Sequence, residues 1–310
     1  MARKTRASRE RSGPAGFLVV DKPAGWTSHD VVDAARRWFG TRRVGHLGTL
    51  DPQATGVLPL AIRQATKLVR FVVQDEKHYV GTVRLGLETD SLDGEGKLVR
   101  VHDGPLPDSA SIRSALTGFA GDIEQIPPMY SAVKHGGVPL HRLARRGEEV
   151  VRGPKKVRIH RIEMIRFDPP NLEIAVACSP GTYVRSLAAD LGTRLGCGAY
   201  LSSLRRVRSG PFDECQAHSP DVLASASEAG EPSRWLIPAT EVLDLPTWTL
   251  PESAAARVLH GGDLPADPRR RETSGSRMLA LTADGRLLAV LELKADRHWW
   301  PLRVLAQEGA

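Results

Sequence analysis

The 310-residue sequence has little cysteine: Cys178, Cys197 and Cys215 are all there is. Their number is odd and none forms a CxxC pair, so neither a disulfide framework nor a zinc site is expected. A reducing cytoplasm suits such a chain. No apolar run nears the roughly 20 residues that a membrane-spanning helix needs. The N-terminal stretch MARKTRASRERSG lacks the apolar centre of a secretory signal. Walker A, HExxH, GxSxG and dinucleotide fingerprints are all missing. The ten histidines show no metal-ligand spacing. Chemistry that needs neither metal nor cofactor is therefore the expectation.

Acids are outnumbered. Lys and Arg total 43 against 36 Asp and Glu, for a net charge of +7 and a pI near 9.6. That balance favours an anionic partner, nucleic acid first and an anionic membrane surface second. A hydrophobic content of 41% with 25% charged residues fits a folded protein. The length allows two domains, or one large domain with a small addition. Residues 1–15 carry Arg3, Lys4, Arg6, Arg9 and Arg11 against one acid, Glu10. They are expected to form a disordered basic arm, either a plain solvated tail or one that adds phosphate contacts.

Order is expected from Gly16. GFLVVDKPAGWTSH reads as a strand, a Pro/Gly turn and a helix start. Thr27 with Asp30 three residues on fits a capping box, and Gly40 would close the helix. ATGVLPLAI and HYVGTVRLGLET read as strands, SASIRSALTGFAG as a helix with a glycine stop. Residues 124–158 are rich in Lys and Arg, with Pro-Pro and Gly-Gly, and read as a mobile basic surface insertion. KKVRIHRIEMIRF is strand-like. NLEIAVACSPGTYVRSLAADLGTRLG reads as a strand, a turn, then a helix from about Tyr183 to Leu195. Residues 216–239 are small and polar, as in a linker. From about residue 240 the chain reads as a small, mostly β unit, with Asp284-Gly285 as the tight turn of a hairpin.

Asp51 is the outstanding acid, in GHLGTLDPQATGVLPL. An Asp-Pro step is usually a turn starter, because Asp accepts backbone N–H bonds and Pro fixes φ. Here Gly45, Gly48 and Gly56 bracket it, which would let a substrate approach the backbone. His46 lies close enough in sequence to aim at the same pocket. Tyr79, on a strand, is either a half-buried packing residue or a stacking platform for a base. Tyr183 and Arg185 open a helix, as a core aromatic and a surface arginine or as functional groups.

Five stretches in order carry a resemblance: GFLVVDKPAGWTSHD, GHLGTLDPQATGVLPLAI, KHYVGTVRLGLETDSLDGEG, IEQIPPMYSAVKHGG and CSPGTYVRSLAADLGTRLGCGAYLSSLRR. Together they resemble the TruB family of bacterial tRNA pseudouridine synthases, which modify the T-loop uridine, over about residues 16–212. The resemblance implies an α+β fold: a mixed, mainly antiparallel sheet with flanking helices (the pseudouridine synthase fold). It implies a catalytic domain over 16–215, and a small PUA-like RNA-binding domain over 240–310. The first 15 residues lie outside it.

The resemblance also implies the chemistry. The N-glycosidic bond of uridine breaks, the uracil turns, and it rejoins the sugar through C5, with no metal and no cofactor. Asp51 is implied as the catalytic carboxylate. Either it adds to the anomeric carbon or it removes the C2′ proton, and both routes stay open. An anionic oxygen suits an oxocarbenium-like centre in either case. Arg185 is implied as the partner of Asp51, and Tyr79 as the platform under the target uracil, aiding loss of the C5 proton. For the substrate-binding side, His46, Lys22, Tyr183 and Leu204 match, with Lys22 supporting the pocket. The base must be flipped out to be reached. The implied partner is the T-arm and T-loop of tRNA, met by a monomer without a membrane or small-molecule cofactor. Two other functions fit the same groove: a non-catalytic RNA-binding or tRNA-folding chaperone, alone or alongside catalysis, and a hydrolase that releases free uracil.

Overall fold

The computed structural model describes residues 13–131, 133–144, 146–148, 150–267 and 272–305. The basic arm expected over 1–15 lies almost wholly outside the described residues, as do positions 306–310. Strand β1 (Gly16–Lys22) forms from GFLVVDK and is buried along nearly its whole length. Its alternate residues serve two cores. Leu18 and Val20 enter one hydrophobic cluster, Phe17 and Val19 another. A strand covered on both faces reads as a continuous apolar run, as this one does.

Helix α1 (Ser28–Phe39) starts where expected. The Thr27 hydroxyl accepts from the Asp30 N–H at 3.1 Å, and the Asp30 carboxylate accepts from the Thr27 N–H at 2.7 Å. Gly40, at φ 57°, ends the helix in the left-handed conformation. Then follow β2 (Val44–His46), β3 (Thr55–Ile62), β4 (Lys77–Leu85), β5 (Leu87–Thr89), β6 (Leu98–Val101), α2 (Ser109–Thr117) and β7 (Gly121–Gln125). A hairpin of β8 (Lys134–His135) and β9 (Val138–Pro139) leads into α3 (Leu140–Ala144). Strands β10 (Lys155–Asp168) and β11 (Asn171–Cys178), helix α4 (Val184–Arg194), and strands β12 (Ala199–Ser209) and β13 (Phe212–Asp213) complete the first sheet.

That sheet runs β1-β3-β12-β4-β11-β10-β7, with β2 beside β3 and β13 beside β12. Its pairings are antiparallel except for β3 with β12, which are parallel at Arg205–Thr55 and Arg206–Gly56. The mixed, mainly antiparallel α+β core is therefore as expected. The central strand β12 was not expected from its sequence, AYLSSLRRVRS, which has no apolar run. Its arginines are answered by tertiary partners: Arg205 meets Asp21 through two bonds of 2.9 and 3.1 Å, and Arg206 is fully buried.

Two further expectations change. The basic insertion assigned to 124–158 has both ends inside the sheet, where Gln125 pairs with Lys155 and Glu124 with Lys156. Only the part between them leaves the sheet. The stretch 216–239, read as a linker, is folded against the core. It holds α5 (Pro220–Glu228), capped by the Ser219 hydroxyl, and α6 (Ala239–Val242) begins at its end. Leu223 is buried in the α1 cluster, and the Ser227 hydroxyl donates to Trp38 O at 2.9 Å. Ile237 and Phe17 exchange backbone bonds of 2.7 and 2.8 Å. The apolar anchors of this stretch are few and scattered, Leu223 with Trp235, Leu236 and Ile237, so composition alone did not reveal this packing.

The C-terminal sheet contains β14 (Thr247–Thr249), β15 (Leu264–Pro265), β16 (Arg277–Leu281), β17 (Leu287–Leu293) and β18 (His298–Val304), in the order β14-β16-β17-β18-β15, with α7 (Glu252–Leu259) beside it. Gly285 turns the β16–β17 hairpin at φ 81°. Leu279, Val290 and Leu305 join Phe17, Val19 and Val57 in one cluster. The second face of β1 thus faces a cluster to which the C-terminal sheet also contributes.

Candidate active site

The loop before β3 is clamped to the start of α1. Ala54 N–H donates to Asp51 O at 3.1 Å, so the expected Asp-Pro turn is present. The Ser28 hydroxyl accepts from Leu50 N at 2.8 Å and donates to Leu50 O at 3.0 Å. Lys22 is completely buried, and its ammonium donates to Pro23 O, Trp26 O and Pro52 O at 2.9, 2.6 and 2.9 Å. Three donors on three carbonyls leave it none for a ligand. Lys22, expected among the substrate-binding residues, is a brace under the Asp51–Pro52 turn. Burial lowers its ammonium to about 8.

With its backbone used by the turn, Asp51 turns its side chain to α4. Arg185 Nε lies 3.0 Å from Asp51 Oδ2, an ion pair rather than an aligned hydrogen bond. The Arg185 side chain is 5% exposed. Its remaining nitrogens reach Asp93 Oδ2 at 3.1 Å, Ser91 O at 3.1 Å and Tyr130 O at 2.7 Å. One guanidinium therefore ties together the Asp51 loop, the 90–96 turn and the insertion. Burial pushes the Asp51 carboxyl above its ordinary value. Arg185 pulls it down, Asp93 adds an upward push, and burial wins.

Asp51, Tyr79, Tyr183, Arg185 and Leu204 line a single cavity of about 210 Å³. Five positions spread along the chain thus converge. Tyr79 comes from β4, Leu204 from the neighbouring β12, and Tyr183 from the turn before α4. Burial raises the phenol of Tyr79, opposed by the Arg206 charge, and burial also raises that of Tyr183. His46 is not in this cavity. It lines an adjoining one of about 630 Å³, which shares Asp51 and Arg185 on its wall. Burial lowers the His46 pKa, helped by the charges of Arg206, His29 and Lys77.

Three residues at the site escaped the sequence reading. Arg206 is fully buried opposite Tyr79 in the β4–β12 register. Its guanidinium donates to Val57 O at 2.8 Å, Gly48 O at 3.1 Å and Thr49 O at 3.3 Å. Its only sequence signal, RRVR, looks like a solvated basic run. Asp93 sits in a turn-like DSLDGEG. Lys77 is two residues before Tyr79, so strand periodicity places both on one face; that signal was available.

The bracketing glycines also have a different use from the one expected. A Cβ on Gly56, at φ 96°, would lie 2.3 Å from Arg206 O. A Cβ on Gly48 would lie 2.9 Å from Lys77 Nζ. They admit the protein's own β12 and Lys77. Gly45 alone of the three has open space at that position.

The TruB family pseudouridylate synthase (N terminal domain) model matches residues 36–184, and the tRNA pseudouridylate synthase B C-terminal domain model matches residues 185–243. A tRNA pseudouridine synthase B of Syntrophotalea carbinolica is 43% identical over 79% of this chain and 80% of that protein. The chain belongs to the TruB family. Another TruB relative, the tRNA pseudouridine synthase B of Symbiobacterium thermophilum, is 46% identical over 83% of this chain and 85% of its own length. Among solved structures, an H/ACA ribonucleoprotein chain bound to a substrate RNA containing 2′-deoxyuridine superposes with a TM-score of 0.68 and 25% identity. That match covers 94% of this chain and 86% of the other. The two TruB models meet between Val184 and Arg185, inside the first turn of α4. Asp51 and Arg185 thus belong to different models, yet lie 3.0 Å apart.

Proposed function

We propose that this chain converts uridine in tRNA to pseudouridine, and that its target is the T-loop uridine, presented by the T-arm. Membership of the TruB family and the names of the relatives support the reaction class. The observation that carries the residue assignment is the 3.0 Å ion pair of Arg185 with Asp51, on the wall of a cavity that also holds Tyr79.

In this reading the flipped uridine enters the cavity with its sugar toward Asp51. The C1′–N1 bond breaks with both electrons leaving on the uracil. The Asp51 carboxylate meets the electron-poor sugar, at C1′ or by taking the C2′ proton. After the ring turns, C5 supplies the pair for the new C1′–C5 bond. The C5 proton then leaves with help from Tyr79, and N1 gains a proton, so the product is an isomer. Arg185 positions Asp51 and holds its carboxyl down against the larger upward push of burial. Leu204 and Tyr183 form the walls around the base, and His46 in the adjoining cavity contacts the RNA beside the flipped nucleotide. The C-terminal sheet serves as the PUA-like RNA-binding unit, and the insertion between β7 and β10 clamps the T-arm. The chain acts as a monomer in the cytoplasm. Its three free cysteines agree with a reducing compartment, and among the described residues no helix is long and apolar enough to cross a membrane.

The test uses tRNA labelled with tritium at uracil C5. Tritium release should vanish in Asp51→Asn while tRNA binding persists. Retained release by that variant defeats the assignment. Release of free uracil by the wild-type chain points to hydrolysis instead. Mapping pseudouridine in tRNA from cells lacking the chain should show loss confined to the T-loop uridine.

A further inference from the structure

The proposed reaction puts negative charge on the departing uracil, yet two of the cations at the cavity have their donors engaged elsewhere. Arg185 serves two carboxylates and two carbonyls. Arg206, beside the cavity rather than on its wall, serves three carbonyls and the Tyr79 phenol. Lys77 differs. It opens β4, lines the cavity beside Tyr79 and Asp51, and reaches it through the space that Gly48 leaves by lacking a Cβ. Among the described residues, no hydrogen bond or ion pair engages its Nζ. The other titratable groups around it are Arg206 on β12, Cys178 on β11, His46 on β2, Tyr79 on its own strand, and Asp51, Tyr183 and Arg185 across the cavity. Burial and the Arg206 charge lower its ammonium to about 8. It is therefore charged at neutral pH.

We infer that Lys77 is a further catalytic residue: its ammonium donates to a carbonyl oxygen of the flipped uracil and holds the negative charge that gathers there as the C1′–N1 bond breaks. The inference rests on the proposed isomerisation and adds a residue to it. The bond's electron pair leaves on N1 and spreads over O2 and O4, both of which are acceptors only. An ammonium is a donor only, so the match is complete. Asp51 on the sugar side and Lys77 on the base side then oppose each other in the sense of the bond's polarisation. The geometry of turning helps as well. Rotation of the ring about its N3–C6 axis exchanges N1 with C5 and O2 with O4. A donor fixed in the wall can thus hold a carbonyl before and after the turn, and so retain the detached base.

The experiment compares the full-length wild type, Lys77→Met and Lys77→Arg on tRNA labelled at uracil C5, under single-turnover conditions, with tRNA affinity and melting temperature measured on each. Lys77→Met should lose about 100-fold or more in rate at saturating tRNA, the scale set by removing one donor to a developing anion. Its tRNA affinity should be unchanged, and Lys77→Arg should retain more rate than Lys77→Met. A charge role makes a second demand. On tRNA carrying 5-fluorouridine, whose base leaves more readily as an anion, consumption of the nucleoside should suffer less from Lys77→Met than consumption of uridine does. Equal penalties on the two bases, an unaffected rate, or a loss confined to tRNA affinity each overturn the inference; the last would make Lys77 a phosphate contact. If Lys77→Met fails to fold, a Lys77→Arg rate at or below that of a folded Lys77→Gln overturns it too. A wild-type chain that releases no tritium fails the isomerase reading itself. An active wild type with an unaffected Lys77→Met fails only the role given to Lys77.

Discussion

Replacing Arg185 by methionine keeps an apolar stem and deletes the guanidinium. Removing one partner of a buried pair costs about 3–5 kcal/mol, because a charge is left without compensation. Here two carboxylates lose their cation. The Asp93 side chain is only 15% exposed and bears that cost, whereas the Asp51 side chain, enclosed by protein yet opening onto the cavities, is 42% accessible to water and adds little once solvent screening is allowed for. The carbonyls of Ser91 and Tyr130 each lose a donor, at about 1 kcal/mol apiece. A loss of about 5–7 kcal/mol follows, which for a chain of this size lowers the melting temperature by roughly 10 °C or more. The effect on chemistry has a fixed sign. Arg185 is the leading influence holding the Asp51 carboxyl down, while burial and Asp93 hold it up. Without Arg185 the carboxyl rises further. The ionised form is the active one, so the acid limb of the rate profile moves to higher pH, and part of the lost rate returns on raising the pH. Calorimetry and tritium release across pH, on wild type and Arg185→Met, measure both. A variant that melts with the wild type and keeps its acid limb refutes the role given to Arg185.

In the wild type itself, tritium release should fall on acidification at a pH above the ordinary aspartate value of 3.8, because burial raises Asp51; a limb below that value contradicts the placement. Arg206→Lys should lower both melting temperature and rate, since one ammonium cannot span Val57 O, Gly48 O and Thr49 O in the guanidinium's geometry; unchanged calorimetry and turnover would remove Arg206 from the site. Gly56→Ala should cost about 3 kcal/mol, from left-handed strain together with a clash against Arg206 O, and denaturant unfolding reads it directly. Thr27→Ala should cost about 1 kcal/mol through loss of the capping box, with little change in kcat; a large fall in kcat would show that α1 does more than support the loop.

The parts of this protein that were legible share one feature: neighbouring residues hold the information. The capping box at Thr27 and Asp30, the stop at Gly40, the apolar run of β1 and the Asp284-Gly285 hairpin are local devices that act wherever the rest of the chain lies. The parts that were not legible depend on contacts far apart in sequence. Strand β12 reads as polar because the partners of its arginines, Asp21 for Arg205 and the carbonyls of Val57, Gly48 and Thr49 for Arg206, lie outside its own sequence. Residues 216–239 resemble a linker because their burial rests on Leu223 and on a backbone exchange with Phe17.

The same division runs through the site. By itself the sequence determined that Asp51 begins a turn, that Tyr79 lies on a strand, and, through five ordered motifs, which family the chain joins. Only the tertiary structure decided what those side chains face. A turn residue uses its backbone locally and leaves its carboxylate free to be claimed from a distance. Arg185 claims that of Asp51 across the fold, at 3.0 Å. Lys22 carries the same charge as Lys77 and a similarly lowered pKa, yet one spends its donors on three carbonyls and the other keeps them for the cavity. Residue type sets what a group can donate or accept, but burial and the partners within reach set whether that capacity is still free, and both arise only when strands distant in sequence are brought side by side.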